Sequence, residues 1–255
     1  MGVPSRAVGL ALGYVAGLAF ADPRRSHPLA GFGQLASALE RACWADDRTC
    51  GAAYARVLVG SITGVGCIVQ RATGGRPVPE AAMVAVATWA FLGGRSLAHE
   101  GSMMAQLLAG DDLPAARDRL GHLCARDATG LSADELARAS VESLAENTSD
   151  AVVARLLWGA VAGVPGLLGY RSVNTLDAMV GYRSHRYRRF GWASARLDDM
   201  VNLVPARVAA ALTVVAPPLV GGRCADAWRI WRWDASRHPA PTQAWWRRQV
   251  PAPWA

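Results

Sequence analysis

Glu142, Glu146 and Asp150 recur every four residues, beside Asn147, Thr148 and Ser149. On a continuous helix each four-residue step turns the chain by ~40°, so the three carboxylates fall within an arc of ~80°. Carboxylates with amide and hydroxyl neighbours are the hard oxygen donors that Mg²⁺ accepts. Like charges four residues apart repel on a bare helix, so a cation should compensate them. The alternative is a solvated face paired with Arg138. Two further acidic segments follow, Asn174-Thr175-Leu176-Asp177 and Arg196-Leu197-Asp198-Asp199-Met200-Val201-Asn202. Asn174 and Asp177 are three apart, Asp198 and Asn202 four apart, so each pair shares one helical face. Each alone reads equally well as a surface helix. Together they give three segments with a carboxylate next to an amide, all close to apolar runs. Arg171, Arg183, Arg186, Arg188 and Arg189 intervene; guanidinium groups suit phosphate oxygens or lipid headgroups. His27 is pinned between turn residues in Asp22-Pro23-Arg24-Arg25-Ser26-His27-Pro28.

The elements that must position these groups are apolar. Of 255 residues, 52% are hydrophobic and 18% charged, with mean hydropathy +0.14. Soluble domains carry ~25% charged residues. The deficit argues against disorder and against an ordinary cytosolic enzyme, and toward a membrane. All 27 basic residues are arginine, and the net charge is +7. That charge suits an anionic ligand or lipid surface. It does not indicate nucleic acid, because the arginines are dispersed and no binding motif accompanies them. The five cysteines form no Cys-x-x-Cys pair and the five histidines show no zinc spacing.

Arg6 precedes an uncharged run from Ala7 to Ala21 that ends in a signal-peptidase-like Ala19-Phe20-Ala21. With more apolar runs to follow, a retained first helix is expected. Those runs are Val57–Gln70, Ala81–Gly94, Leu156–Tyr170 and Val208–Gly222. Each falls short of the ~20 residues of a membrane span. One flanking charge in each case (Arg56, Glu80, Arg155, Arg207) can snorkel, and the runs are rich in the small residues that let membrane helices pack closely. The expected architecture is all-α, a polytopic membrane protein with four or five hydrophobic helices and helical polar inserts, in one domain over residues 1–255. Gly163-Val164-Pro165-Gly166 should break the fourth run, either as a re-entrant hairpin or as a kink. The hairpin would keep the acidic motifs at 142–150 and 174–199 on one side of the membrane; a simple span would separate them. In the insert at 95–150, Ser132 with Glu135 forms a capping box that starts a helix at Ala133 and carries it through Glu146. Asp112 and Pro114 start another near 113–125. Arginine falls on both alternate sets of loops, so the orientation stays open.

Read together, these segments resemble one family. Asp22-Pro23 with His27-Pro28 is similar to its N-terminal signature. Arg126-Asp127 and the run Val141 to Asp150 resemble its longest motif. Val173 to Tyr182, Phe190 to Asp199 and Asn202 with Pro205-Ala206-Arg207 resemble three more. The family is CobD/CbiB of cobalamin biosynthesis, the adenosylcobinamide-phosphate synthases, and the likeness covers about 7–241.

The resemblance implies a multi-pass inner-membrane, ATP-dependent amide-forming ligase. It would join (R)-1-amino-2-propanol, or its O-phosphate, to a propionate of adenosylcobyric acid. Mg²⁺ and ATP would be required, and neighbouring enzymes of the pathway would be partners. On that footing Glu142, Glu146 and Asp150 are expected to hold Mg²⁺. Asp177, Asp198 and Asp199 are expected as catalytic carboxylates. His27, Asn147, Asn174, Arg183, Arg196 and Asn202 are expected to bind substrate or phosphate. Two departures stand out. Ala21 occupies a position where members carry Gly. After Pro241, Thr242-Gln243-Ala244-Trp245-Trp246-Arg247-Arg248 and a Pro/Trp tail stand where members carry a Gly/Ala-rich segment; a truncation or frameshift would explain this, and would impair activity if that segment serves the site. The competing functions are a non-catalytic membrane relative in signalling and a corrinoid carrier. Intact Glu-Asn-Thr-Ser-Asp and Arg-Leu-Asp-Asp motifs argue against the first. The second would place its ionisable groups inside the spans.

Overall fold

A computed structural model of the chain describes residues 3–20, 28–73, 75–124, 127–182 and 184–237, and all regular structure among them is helical. In order these are α1 (Val3–Phe20), α2 (Pro28–Cys43), α3 (Arg48–Ala72), α4 (Pro77–Phe91), α5 (Gly94–Ala109), α6 (Leu113–Leu120), α7 (Ala133–Thr148), a π-helical turn (Ser149–Val153), α8 (Ala154–Ala162), α9 (Val164–Val180), α10 (Trp192–Val215), a 3-10 turn (Pro217–Val220) and α11 (Cys224–Arg237). Two stretches, Arg48–Ala72 and Pro77–Ala109, are long and apolar enough to cross a membrane; Pro4–Phe20 is a shorter apolar helix.

Local signals set several boundaries. Asp47 accepts from the N–H groups of Thr49 and Cys50 and starts α3. Asp112 accepts from the Ala115 N–H ahead of Pro114 in α6. The capping box at α7 forms as its residues require, with the Glu135 carboxylate accepting from the Ser132 N–H at 2.9 Å. That N–H and the Ser132 hydroxyl hold the Glu135 carboxyl below the usual carboxylate range. Helix α7 outlasts Glu146 and runs through the π turn into α8.

Helices α1 and α4 lie side by side and parallel. Their starts are joined where the Ser5 hydroxyl donates to Glu80 at 2.7 Å and Arg6 pairs with the same carboxylate at 3.5 Å. Gly9 and Gly13 face Val84 and Thr88, and a Cβ at either would collide with α4; this is the small-residue approach of membrane helix pairs. At the other end Arg95 donates to the carbonyls of Leu18 and Ala19 and caps α1.

The expected break falls at Gly163, whose φ of 69° and ψ of −140° suit glycine alone. Helices α8 and α9 are therefore the two arms of a hairpin. Its tip sits at the end where α1 and α4 begin. Arg6 donates to the Val161 carbonyl of α8, and Gln70 from the end of α3 accepts from the Val164 N–H of α9. Both polar ends exposed by the break are thus satisfied. The open ends of the hairpin lie at the opposite end of the bundle. There the Gly93 N–H donates to the Ala151 carbonyl, Arg155 donates to the Phe91 carbonyl, and the Trp192 indole donates to the Arg48 carbonyl at 2.9 Å. The hairpin reading of the fourth apolar run holds, and a straight or merely kinked span does not.

Three apolar clusters pack these elements. Phe32, Ala36, Tyr54, Leu58, Leu176, Val180 and Phe190 join α2, α3 and α9 to the turn before α10. Val84, Phe91, Val164 and Leu167 join α4 to α9. Met104, Leu120, Leu123 and Leu136 belong to α5, α6, α7 and the stretch after α6, which form a separate helical cap.

Replacing Gly163 with Ala forces a side chain into that backbone conformation and against the Gln70 amide. The expected cost is about 2 kcal/mol, read as a fall of about 5 °C in the thermal unfolding midpoint. An unchanged midpoint would remove the hairpin from this account.

Candidate functional site

At the open end of the hairpin, the π turn, α9 and α10 come together. Their polar residues line one seam. Asp177 on α9 is buried, and Asp198 and Asn202 on α10 are almost fully so. The surface-helix reading of these two motifs therefore fails. The Asn202 amide donates to Asp198 Oδ2 at 3.1 Å, and its own Oδ1 accepts from the Tyr170 hydroxyl at 2.9 Å. Asp150, Asp198 and Arg155 all lie within electrostatic reach of that hydroxyl, and Asp150 also acts on Arg171. Arg171 donates to Asn174 Oδ1 at 3.1 Å. The buried Nε of Arg171 and the hydroxyls of Ser149 and Ser194 have no hydrogen-bond partner among the described residues. Interior polar atoms are normally partnered, so these are groups that a bound polar molecule can satisfy.

A carboxylate taken out of water costs several kcal/mol unless it is paired or hydrogen-bonded. Here Asp150 and Asp198 share the surroundings of Tyr170 with the Arg155 guanidinium, and Asp150 also lies near that of Arg171. The seam is thus a mixed acidic and basic interior, suited to a ligand that carries charge of both signs.

Beside it, at the same end of the bundle, lies a cleft of about 410 Å³ lined by Asp46, Arg48, His185, Arg188 and Arg189. Arg48 lies 5.9 Å from the centre of the Trp192 ring, and Arg189 pairs with Asp46 at 3.7 Å. Arg186 is turned away. It pairs with Glu40 at 3.2 Å and stacks over Trp44, while the Tyr187 hydroxyl donates to the same carboxylate. Three arginines and a histidine against one aspartate give this cleft a mainly basic lining, the side-chain chemistry that suits an anion.

Of the residues expected from the sequence, Asp150, Asn174, Asp177, Asp198 and Asn202 are brought to the seam, with Asp199 half-buried at its edge. Arg196 is not. It is exposed, and it stands two residues from Asp198, about 160° around α10. Asn147 is spent within the cap, where its amide donates to the carbonyls of Leu123 and Ser143. Asn202 is equally spent, between Tyr170 and Asp198. The 142–146–150 stripe does not form one metal cage. Glu142 is paired to Arg138 at 2.9 Å, and eight residues place it about 12 Å along the axis from Asp150. Among the described residues no three His, Cys, Asp or Glu side chains gather closely enough to hold an ion. His27 and Arg183 lie outside the described residues, as do Arg126 and the tail after Pro241.

Reading motifs alone missed Tyr170, Arg155 and the cleft residues Asp46, Arg48 and His185. Tyr170 had a signal, since it precedes Asn174 by four residues and Asp177 by seven, on one helical face. Arg155 looked like an interfacial anchor. The cleft residues come from segments 140 residues apart, and nothing local links them.

A family model described as CobD/Cbib protein matches residues 10–248. The chain is 52% identical over 237 residues to cobalamin biosynthesis protein CobD of Mycobacterium tuberculosis, covering 93% of this chain and 75% of that protein. It is 42% identical over 229 residues to the protein of the same name from Geobacter metallireducens, covering 88% and 72%. No solved structure matches. The chain therefore belongs to the CobD/CbiB family and has a role in cobalamin biosynthesis.

Proposed function

We propose that the chain is a multi-pass inner-membrane amide ligase that joins (R)-1-amino-2-propanol, or its O-phosphate, to a propionate of adenosylcobyric acid with ATP. The observation that carries this is the pairing at one end of the bundle: an acidic seam of buried Asp177 and Asp198 with half-buried Asp150, at the same end as a cleft lined by Arg48, Arg188 and Arg189. A carboxylate and an ammonium at neutral pH form a salt. Making the amide requires that one carboxylate oxygen leave as phosphate or nucleotide and that the ammonium lose a proton. The cationic cleft would hold the phosphate groups. The seam would hold the ammonium, with Asp198 or Asp177 accepting its proton. Loss of that proton frees the nitrogen lone pair to attack the activated carbonyl, and the phosphate-bearing group departs with the C–O electrons.

Oxygen donors suit Mg²⁺, which commonly binds one or two carboxylates together with substrate phosphates. Asp150 and Glu146 are the residues that would take this part. The ion would neutralise phosphate charge as the carboxylate is activated.

The membrane reading rests on apolar side chains turned outward. Val15 of α1 is 60% exposed, Ile68 of α3 67% and Val215 of α10 64%. Helix α3, at 25 residues, is about 37 Å long and exceeds the ~30 Å hydrocarbon core. A second reading, a corrinoid carrier, draws on the same buried Asp177 and Asp198, because ionisable groups between helices also mark transport paths. Corrinoid-dependent ATP turnover that requires aminopropanol separates ligase from carrier.

Asp198→Ala and Glu146→Ala, made separately, should each lower cobinamide formation about 100-fold or more; full activity in both would sink the assignment. Replacing Arg188 and Arg189 together by Ala should raise the KM of the phosphate-bearing substrate about 10-fold with little change in kcat. Cysteines placed at 146 and 185 should label from the same face of the membrane, and labelling from opposite faces would break the shared site.

A further inference from the structure

Resting on the reading of Asp198 as a reacting-site carboxylate, we propose that Tyr170 and Asn202 are its positioning residues, acting as a directional hydrogen-bond relay from α9 to α10. The direction follows from chemistry. An ionised carboxylate only accepts hydrogen bonds, whereas an amide has a donating and an accepting end. Asp198 therefore demands the NH₂ of Asn202, found 3.1 Å from Oδ2. That choice points Asn202 Oδ1 at α9, where a donor is required. The Tyr170 hydroxyl supplies it at 2.9 Å. Were the tyrosine replaced by a residue without a donor, Asn202 Oδ1 would lose its buried partner, and the amide would be held on α10 by Asp198 alone, with nothing from α9 to fix its position.

The three residues are 3%, 1% and 2% exposed for Tyr170, Asn202 and Asp198, so water does not compete for these bonds. A second tie holds the same stretch of α10, since the Trp158 indole of α8 donates to the Val201 carbonyl at 3.0 Å. Asn202 thus sits between two fixed neighbours, one helical turn beyond Asp198. This gives Asn202 a role different from the substrate contact expected of it, and gives Tyr170 a role no motif suggested.

The test uses the full chain in membranes and measures amide formation from adenosylcobyric acid, ATP and the amine. Tyr170→Phe removes one oxygen. It should lower kcat about 10-fold and leave KM for corrinoid and amine unchanged, because the lost contact is not to substrate. Asn202→Leu should lower kcat about 100-fold, in line with the loss expected from a misplaced reacting group. The double variant should match Asn202→Leu alone, since Tyr170 acts only through Asn202. Wild-type kcat in Tyr170→Phe, or a double variant whose loss is the product of the two single losses, overturns the relay. Membrane content of each variant is quantified in parallel, so that lost protein is not read as lost kcat. If Asn202→Leu fails to accumulate, the kcat of Tyr170→Phe decides by itself. An active Asp198→Ala would overturn the site reading together with the relay. An inactive Asp198→Ala with an unaffected Tyr170→Phe overturns the relay alone.

Discussion

Burying carboxylates is the constraint around which this bundle is arranged. Asp177 and Asp198 lie between helices, away from water, and an isolated charge there would be costly enough to unfold a marginally stable chain. Around Asp198 the cost is offset by the Asn202 amide and the nearby Arg155 guanidinium, and around the neighbouring Asp150 by Arg171. Asn202 comes from the next turn of α10 itself, but Arg155 and Arg171 come from α8 and α9, so the seam exists only when the π turn, α8, α9 and α10 are docked together.

That docking depends in turn on the break at Gly163. A straight helix across 149–180 would carry Asp150 and Asp177 to opposite ends of the bundle. The positive φ of one glycine, with Arg6 and Gln70 covering the loose helix ends, folds the segment back. The groups that make the hairpin possible therefore lie at the end of the molecule farthest from the groups it brings together. Continuity between cap and seam is preserved at Ser149–Val153, where the helix widens by a residue without stopping. Such π insertions change which face later residues present and recur at functional sites.

Features governed by short-range chemistry were legible in the sequence. Ser132 with Glu135, Asp112 with Pro114 and the Gly163 break all depend on residues within a turn of each other, and all appear where their types require. One carboxylate from each of the three acidic segments, Asp150, Asp177 and Asp198, stands at the same end of the bundle. What went astray was rotational phase and company. Arg196 was grouped with Asp198 by proximity in the chain, yet two residues on a helix point nearly opposite ways. Glu142 and Asp150 share a face but are too far apart along it for one small ion. Asn147 and Asn202 looked like groups facing a ligand; each is consumed by backbone or side-chain partners from elsewhere. Tyr170, at the margin of an apolar run, gave little sign of facing Asp198, because only the docking of α9 on α10 decides that.

The side-by-side course of α1 and α4 bears on how the chain is assembled. Two parallel neighbours cannot be made as a hairpin; another segment must first return in the opposite direction, and here α3 does so. The contacts that seat α1 come from Glu80, Val84, Thr88 and Arg95, all synthesised some 70 residues later. Helix α1 must therefore wait with its glycine face bare until those residues have been made. Docking of α1 becomes a late event in biogenesis, after the intervening chain has been made and has folded back.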